Sequence, residues 1–249
     1  AALAMLEPAA RLLREAETLF APQQRSGRFE PARSALTYRI AASDYLDPMF
    51  LPGVVQRLKA AAPLAQIEFH PLSAEFDCRR KLAAGDIDLV VGNWLQPPEE
   101  LHLGRLIDDE VVCLAAADHP AARNPRSWTV ERYLQSEHVA PIALHAGAPG
   151  VIDQHLATQG LKRNIAVRAA HFGLIPMMVA RSRLLLTTGR LFCSRYADAL
   201  DLRILRCPVP FPPMSYYMLW HERSHAAPPL RWLREQMREV ARDLAGSRP

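Results

Sequence analysis

Hydrophobic and polar residues follow each other along the chain in a pattern that predicts alternating strands and helices. The pattern is clearest at residues 82–94, where a helix ends at Gly85, a residue that tolerates the positive φ of a helix C-terminus. The run from Ile87 to Val91 is apolar apart from Asp88, which is typical of a parallel strand buried on both faces. Gly92-Asn93 then turns the chain out at the carboxyl end of this strand, the edge at which open α/β sheets bind ligands.

The same alternation continues on both sides of this strand. Before it, strands at 38–42 and 65–71 and helices at 49–62 and 75–84 complete a βαβαβ unit, which implies parallel strands, and Ile67 and Phe69 are expected to point inward. After it, we predict strands at 103–107, 110–116, 138–142, 165–169, 184–188, 202–207 and 215–221, and helices at 129–134, 151–159, 172–181, 190–197 and 229–244. The sequence therefore predicts two α/β units, joined by the long strands near 112–117 and 215–221.

The first residues follow a different pattern. Residues 3–20 carry apolar side chains at alternating spacings of three and four, which predicts a helix that packs on a partner helix. Residues 21–36 are polar and contain Pro and Gly, which indicates a linker. Because the chain starts at Ala1 inside the helical pattern, we expect a further segment to precede it.

Composition narrows the class of protein. The chain has 249 residues, of which 49% are hydrophobic, so it can bury one large core or two smaller ones. The net charge of +4 is spread along the chain and does not form the basic cluster that a nucleic-acid surface needs. The 4 cysteines lie far apart, which favours reduced thiols over disulfides or a metal site. No apolar run is long enough to span a membrane and no export signal opens the chain, so we expect a cytoplasmic protein.

Two candidate binding residues follow the first predicted strand. Ser43 and Asp44 lie between that strand and a helix, where unpaired backbone N–H groups and the helix dipole attract a carboxylate or another anion. An Asp beside an anion is unfavourable, so Ser43 is the better contact. Both residues are equally compatible with simple helix capping.

Further candidates follow later strands. Asn93 offers a donor and an acceptor, and the indole of Trp94 offers a flat apolar wall, although a core or dimer-packing role suits Trp94 equally well. In the second unit, candidates come from a glycine-rich turn before one helix and from the start of the next: His145, Gly147, Ala148, Pro149, His171 and Phe172. The turn matches neither a P-loop nor a dinucleotide fingerprint, and we interpret it as a nest for a small acid or polar group. An imidazole at His171 can bind a phenol or carboxylate while Phe172 stacks on it.

Short motifs recur over residues 37–244 in a characteristic order: YRIAAS at 38–43, LP at 51–52, LAAGDIDLVVG at 82–92, ADHP at 117–120, HF at 171–172, WH at 220–221 and WLR at 232–234. In this order and spacing, the chain resembles the effector-binding region of LysR-type transcriptional regulators. The HF, WH and WLR motifs are most similar to the branch that senses aromatic compounds, which includes nodulation and naphthalene- or chlorophenol-degradation regulators.

The resemblance implies an α/β fold with two Rossmann-like subdomains, similar to type 2 periplasmic binding proteins and preceded by a linker helix. It divides the chain into a linker helix with its linker (1–36), subdomain I (37–117 with 216–249) and subdomain II (118–215). It also implies a homodimer or homotetramer, a small-molecule effector in the cleft between the subdomains, and DNA contact only through an N-terminal winged helix-turn-helix that this chain lacks. In the aromatic-sensing relatives a His-Phe pair like His171-Phe172 lines the effector pocket. Those relatives can place a His where Pro149 stands, which leaves the ligand of this chain open.

Two other classes of protein compete with this interpretation. One is an exported solute-binding protein of the same fold, delivering a small anion to a transporter; the unpaired cysteines and the linker helix argue against it. The other is an enzyme on the same fold, but the sequence has no GxSxG, HExxH or paired Cys/His motif. We therefore expect no catalytic residues, no metal and no cofactor.

Overall fold

The computed structural model describes residues 29–73, 76–94, 98–142 and 149–246, and its strands and helices alternate along the chain. The strands are β1 (Thr37–Ala42), β2 (Gln66–Pro71), β3 (Leu89–Asn93), β4 (His102–Asp109), β5 (Val111–Ala116), β6 (Glu137–Pro141), β7 (Asn164–Ala169), β8 (Leu185–Gly189), β9 (Leu202–Arg206) and β10 (Met214–Trp220). The helices are α1 (Phe50–Ala61), α2 (Cys78–Ala84), α3 (Pro120–Arg123), α4 (Val130–Gln135), α5 (Val151–Thr158), α6 (Ile175–Ala180), α7 (Arg190–Ala197), α8 (Glu222–His225) and α9 (Pro228–Gly246). Short 3-10 helices cover Pro31–Arg33, Pro125–Ser127 and Phe172–Leu174.

The strands form two sheets of the same design. The first is a 5-stranded sheet in the order β2-β1-β3-β10-β4, and the second is a 5-stranded sheet in the order β7-β6-β8-β5-β9. In the first sheet β1 runs parallel to β2 and β3, which confirms the predicted βαβαβ unit. In each sheet one strand runs antiparallel to both of its neighbours: β10 between β3 and β4, and β5 between β8 and β9. Each sheet thus carries parallel strands on one side and antiparallel strands on the other.

The chain passes between the two sheets twice. The first passage is at Glu110, between β4 and β5, and the second covers residues 207–213, between β9 and β10. The sequence placed the first boundary after residue 117 and expected the strands near 112–117 and 215–221 to join the units. In the structure β5 and β10 lie in different sheets, and the connections just before them make the passages.

The first sheet is covered by α1 and α9, which pack on each other. Leu233, Met237 and Val240 form the buried stripe of α9, as its spacing predicts. The approach to α1 is close, because a Cβ placed on Gly53 would lie 2.9 Å from Cγ1 of Val240. The last helix of the chain therefore closes the core over the first sheet. The same cluster continues into the second half through Val111, Cys113 and Tyr133, and a separate cluster lies around β5, α6 and α7.

The structure departs from the predicted elements in a few places. Phe69 is 39% exposed, so the expectation that it points inward is wrong; β2 is an edge strand. The helix predicted at 172–181 is divided into a 3-10 turn and α6, which begins with Ile175-Pro176. The helix predicted from residue 75 begins at Cys78, where the Asp77 carboxylate accepts a hydrogen bond from the backbone N–H of Arg80. The helix predicted at 3–20 lies outside the described residues.

Two general features bear on the class of protein. Within the described residues, no helix is long and apolar enough to cross a membrane. All four cysteines are free; Cys113, Cys193 and Cys207 are buried, and Cys78 is partly exposed.

Candidate functional site

Residues 43–49, the bridging segment, connect β1 to α1 and contact both halves of the molecule. On the side of the first sheet, the backbone N–H of Ser43 donates to the carbonyl of Val91 (3.3 Å), and the Tyr216 hydroxyl donates to the carbonyl of Tyr45 (2.9 Å). These bonds tie the bridging segment to β3 and β10, at the carboxyl end of β3. Open α/β folds bind ligands at this edge.

The bridging segment reaches the second half through two adjacent side chains. The Asp44 carboxylate accepts a hydrogen bond from the backbone N–H of Gly173 (3.3 Å). The Tyr45 hydroxyl donates to the carbonyl of Ile142 (3.4 Å), and its ring lies 4.6 Å from that of Phe172. Burial and the nearby Asp44 charge raise the pKa of Tyr45 to about 12, so this hydroxyl keeps its proton at neutral pH. The two halves meet directly at this point.

Ser43 is the most informative of the predicted site residues. It is 5% exposed, and among the described residues its hydroxyl has no hydrogen-bond partner. A buried hydroxyl without a partner costs free energy, roughly 1–3 kcal/mol, unless a ligand or water satisfies it. Ser43 lies beside Asp44 and Tyr45, which form the contact between the two halves.

Asn93 and Trp94 leave the neighbouring strand at the same edge. Asn93 is the last residue of β3, is buried, and lies opposite Tyr216 of β10. Trp94 folds back over Gly92, where a Cβ would lie 2.8 Å from its ring, and packs against a small core cluster that includes Leu82. The core role weighed for Trp94 therefore has direct contacts, and Asn93 is the residue left at the edge.

The second half supplies His171 and Phe172, which follow β7. His171 is exposed and precedes the 3-10 turn. Phe172 is 2% exposed, because its ring packs between Tyr45 and Phe192 at centroid distances of 4.6 Å each. Phe172 is therefore part of the contact between the two halves, and the neighbouring His171 is exposed to solvent.

The glycine-rich turn is described only in part. The carbonyl of Pro149 accepts a hydrogen bond from the Gln154 side chain (2.7 Å), and Gly150 precedes α5. The predicted contacts His145, Gly147 and Ala148 lie outside the described residues. The nest proposed for this turn stays a prediction.

Sequence reasoning missed the strongest contact at this site. Both carboxylate oxygens of Asp47, in the bridging segment, bind the guanidinium of Arg195 on α7, at N–O distances of 2.9 to 3.1 Å. An Asp before Pro48 reads as an ordinary turn residue, and its partner is 148 positions away, so no local pattern reveals the pair. Apolar side chains surround the same region, with Met49, Ile142 and Leu174 each about half exposed.

The residues that the structure brings to this place combine polar groups with apolar surface. Its donors are a serine hydroxyl, an amide and an imidazole, and its walls are apolar or aromatic. Within the described residues, no group of three or more His, Cys, Asp or Glu side chains is placed to hold a metal ion.

Comparison with known proteins places this geometry in a family. Residues 32–242 match the family model described as the LysR substrate binding domain. The chain belongs to this family. Nodulation protein D 2 of Rhizobium tropici is 30% identical over 213 residues, which cover 86% of this chain and 66% of that protein. The chain thus spans just under two thirds of that relative's length.

Solved structures of LysR-family proteins share the fold. The crystal structure of transcriptional regulator PA0477 from Pseudomonas aeruginosa is 27% identical and superposes with a TM-score of 0.78, covering 93% of this chain and 73% of the other. The BenM effector-binding domain, solved with its effector benzoate, superposes with a TM-score of 0.65 at 15% identity, covering 86% of this chain and 96% of the other. The two sheets with their helices are therefore the two-subdomain, periplasmic-binding-protein-like architecture of LysR effector-binding domains. The family's members regulate transcription.

Proposed function

We propose that this chain is the effector-sensing and oligomerising region of a LysR-type transcriptional regulator, and that a small aromatic or carboxylate compound binds between its two subdomains. Subdomain I is the half built on the first sheet, and subdomain II is the half built on the second. The observation that carries the proposal is the buried, unpartnered hydroxyl of Ser43, at the point where the subdomains meet. A ligand shifts such a molecule only by its different affinity for two arrangements of the subdomains.

The residues around Ser43 support this class of ligand. Ser43 and Asn93 supply polar groups at adjacent strand ends, and subdomain II supplies the exposed His171 next to Phe172, which packs on Tyr45. Ile142 and Leu174 supply apolar surface for a ring. Benzoate, the effector of BenM, combines a carboxylate with a ring in this way. Asp44 already accepts the Gly173 N–H, so we assign the anionic end of the ligand to Ser43 and not to Asp44.

A thermal-shift titration with benzoate and a panel of substituted benzoates and phenols tests the proposal. A ligand at 100 times its dissociation constant stabilises the folded protein by about 2.7 kcal/mol. Ser43→Ala removes one hydrogen bond to a charged group, worth about 1.5–3 kcal/mol, so we expect the affinity for the best ligand to fall at least about tenfold. His171→Ala tests the opposite wall and is expected to weaken binding as well.

The matched control is Ser34→Ala, because Ser34 is also fully buried but precedes β1 at the end of the strand away from the cleft. This variant should bind the ligand as the unaltered protein does. If Ser43→Ala and Ser34→Ala bind the best ligand equally well, Ser43 is not at the site. If no compound in the panel stabilises the protein, the proposed ligand class is wrong.

We propose further that the chain self-associates through the edge of subdomain I formed by β2 and α1. β2 is an edge strand, with one side of its backbone open to pairing. The surface beside it is apolar: Leu64 is 62% exposed, Phe69 39% and Val55 36%. Exposed apolar side chains next to an open strand edge are typical of a protein–protein interface.

Sedimentation velocity at several concentrations tests this interface. Phe69→Lys places a charge in the contact and is expected to shift the protein toward monomer, weakening association by about tenfold or more. Leu103→Lys is the control, since Leu103 is 47% exposed on β4 at the other edge of the same sheet. Equal sedimentation of the two variants would contradict the proposed interface.

The alternative of a transport protein is not favoured, because the relatives regulate transcription. The same finding supports a binding role over an enzymatic one. Since regulators of transcription act where the DNA is, we infer that the protein works in the cytoplasm. Contact with DNA is assigned to the part of such regulators that lies outside the matched region.

A further inference from the structure

The ion pair between Asp47 and Arg195 differs from the other ion pairs of the described residues in two respects. The Asp47 side chain is completely buried (0% exposed), and the pair joins subdomain I to subdomain II. The guanidinium Nε lies 3.1 and 3.0 Å from the two carboxylate oxygens, and an Nη atom lies 2.9 Å from one of them. The same carboxylate also accepts the backbone N–H of Met49 (2.8 Å), which fixes its orientation. The Arg195 side chain is 39% exposed, so the pair is buried at its carboxylate and open to solvent at its guanidinium.

Helix α7 connects this pair to the passage between the subdomains. At its start, the backbone N–H of Leu191 donates to the carboxylate of Asp109 (2.9 Å), the last residue of β4. Arg195 lies one turn further along the same helix. A rotation of subdomain II about the passage at Glu110 leaves the Leu191 end near its partner and moves the Arg195 end away from Asp47. Such a rotation therefore breaks the ion pair.

Breaking the pair leaves a buried carboxylate without its counter-charge, a cost that far exceeds that of separating an exposed pair. This cost favours two arrangements of the subdomains, one with the pair formed and one with it broken, which is the property a two-state element needs. Asp47 is in the bridging segment, with Ser43 and Tyr45, so the state of the pair determines whether subdomain II is held against the segment that carries Ser43.

We propose that the Asp47–Arg195 pair is a latch that holds subdomain II against the bridging segment and so keeps the subdomains in the effector-binding arrangement. The inference rests on the proposed function, because it names what sets the cleft that the effector occupies. The arrangement held by the latch buries Ser43 and Phe172 and brings Tyr45 against subdomain II, as a ligand-binding closed cleft requires.

Hydrogen exchange of the ligand-free protein tests the latch without any effector. In Arg195→Ala we expect faster exchange at residues 43–49 and at Gly173, whose amide reports the Asp44 contact, with unchanged exchange in β1 and β8. Arg195→Lys keeps the charge but not the paired geometry, and should give an intermediate rate. Where Arg195→Ala does not fold, Arg195→Lys and Asp47→Asn decide the test. Arg203→Ala is the control, because Arg203 forms an exposed local pair with Asp201 in the same subdomain.

Unchanged exchange at residues 43–49 in Arg195→Lys and Asp47→Asn would overturn the latch. So would equal effects of Arg195→Ala and Arg203→Ala. The second readout is the affinity for benzoate, or for the best compound of the panel. We expect it to fall roughly five- to fiftyfold in Arg195→Ala, because the arrangement of the subdomains that binds the effector is less populated in this variant. If no compound binds the unaltered protein, the proposed function fails, whereas the latch is still judged by the exchange of the ligand-free protein.

Discussion

Gly85 shows how one residue fixes the turn between α2 and β3. Its φ of 76° lies in the left-handed region, and a Cβ added to it would lie 2.0 Å from Nη1 of Arg223. The Arg223 guanidinium donates to the carbonyl of Ala83 (3.3 Å), so it covers the end of α2. The glycine is required by backbone conformation and by this close approach.

We predict that Gly85→Ala lowers the free energy of unfolding by about 2 kcal/mol. The left-handed conformation accounts for about 1 kcal/mol, and displacement of Arg223 from the Ala83 carbonyl for about another. Gly160→Ala is the control, since Gly160 has a φ of 68° but open space around it, so it should lose only the first contribution. Urea unfolding measures both variants. A loss for Gly85→Ala no greater than that for Gly160→Ala would contradict the role of Arg223.

At the scale of elements, hydrophobic periodicity predicted where strands and helices lie because burial and periodicity agree in most of them. β3 is buried at every residue and α9 carries its apolar stripe as predicted. The prediction that Phe69 points inward is wrong because β2 lies at the edge of its sheet. An edge strand can alternate apolar and polar residues although nothing packs over part of its surface. Whether an apolar side chain meets a core or a partner chain depends on tertiary position, which periodicity does not contain.

The candidate site was predictable only in outline. The sequence identified Ser43, Asn93 and His171 as candidates because each lies at or just after the end of a predicted strand. The carboxyl ends of parallel strands lie at the same edge of a sheet. The contacts that join the subdomains, Asp47 with Arg195 and Tyr45 with Phe172, connect residues more than 120 positions apart. Such pairings arise from the fold as a whole, and no local spacing encodes them. The burial of Phe172 likewise follows from Tyr45, which the sequence did not single out.

At the scale of the molecule, the two subdomains contain buried ionisable groups whose pKa values shift in opposite directions. Burial raises the pKa of Asp88, in subdomain I, from 3.8 to about 6, although hydrogen bonding to the Arg39 backbone N–H opposes the shift. Burial lowers the pKa of His138, in subdomain II, from 6.5 to about 4. As pH falls from about 6.5 to 4, folded Asp88 takes up a proton before the unfolded chain does, whereas unfolded His138 takes one up before the folded chain does. Acid therefore stabilises through Asp88 and destabilises through His138.

We predict that these two effects largely cancel in the unaltered protein and separate in variants. In Asp88→Asn only the His138 effect remains. Between pH 7 and pH 4.5 the free energy of unfolding of this variant should therefore fall by about 1–3 kcal/mol more than that of the unaltered protein. In His138→Gln only the Asp88 effect remains, so the free energy of unfolding should stay constant or rise as the pH falls over the same range. Urea unfolding at several pH values measures the slopes. Parallel slopes for the two variants would show that these groups do not govern the pH dependence.

The position of β10 determines the order in which the molecule can be completed during synthesis. β10 lies between β3 and β4, and β4 pairs with no other strand of the first sheet. β4 can therefore join β1, β2 and β3 in one sheet only after Trp220 has been made. All strands of the second sheet, from Val111 to Arg206, are made before β10. As the chain leaves the ribosome, subdomain II can therefore fold first. β1 to β4 are made earlier, but their sheet is completed only by β10, which is made more than 100 residues later. Of the two subdomains, the one whose synthesis begins first is the one that closes last.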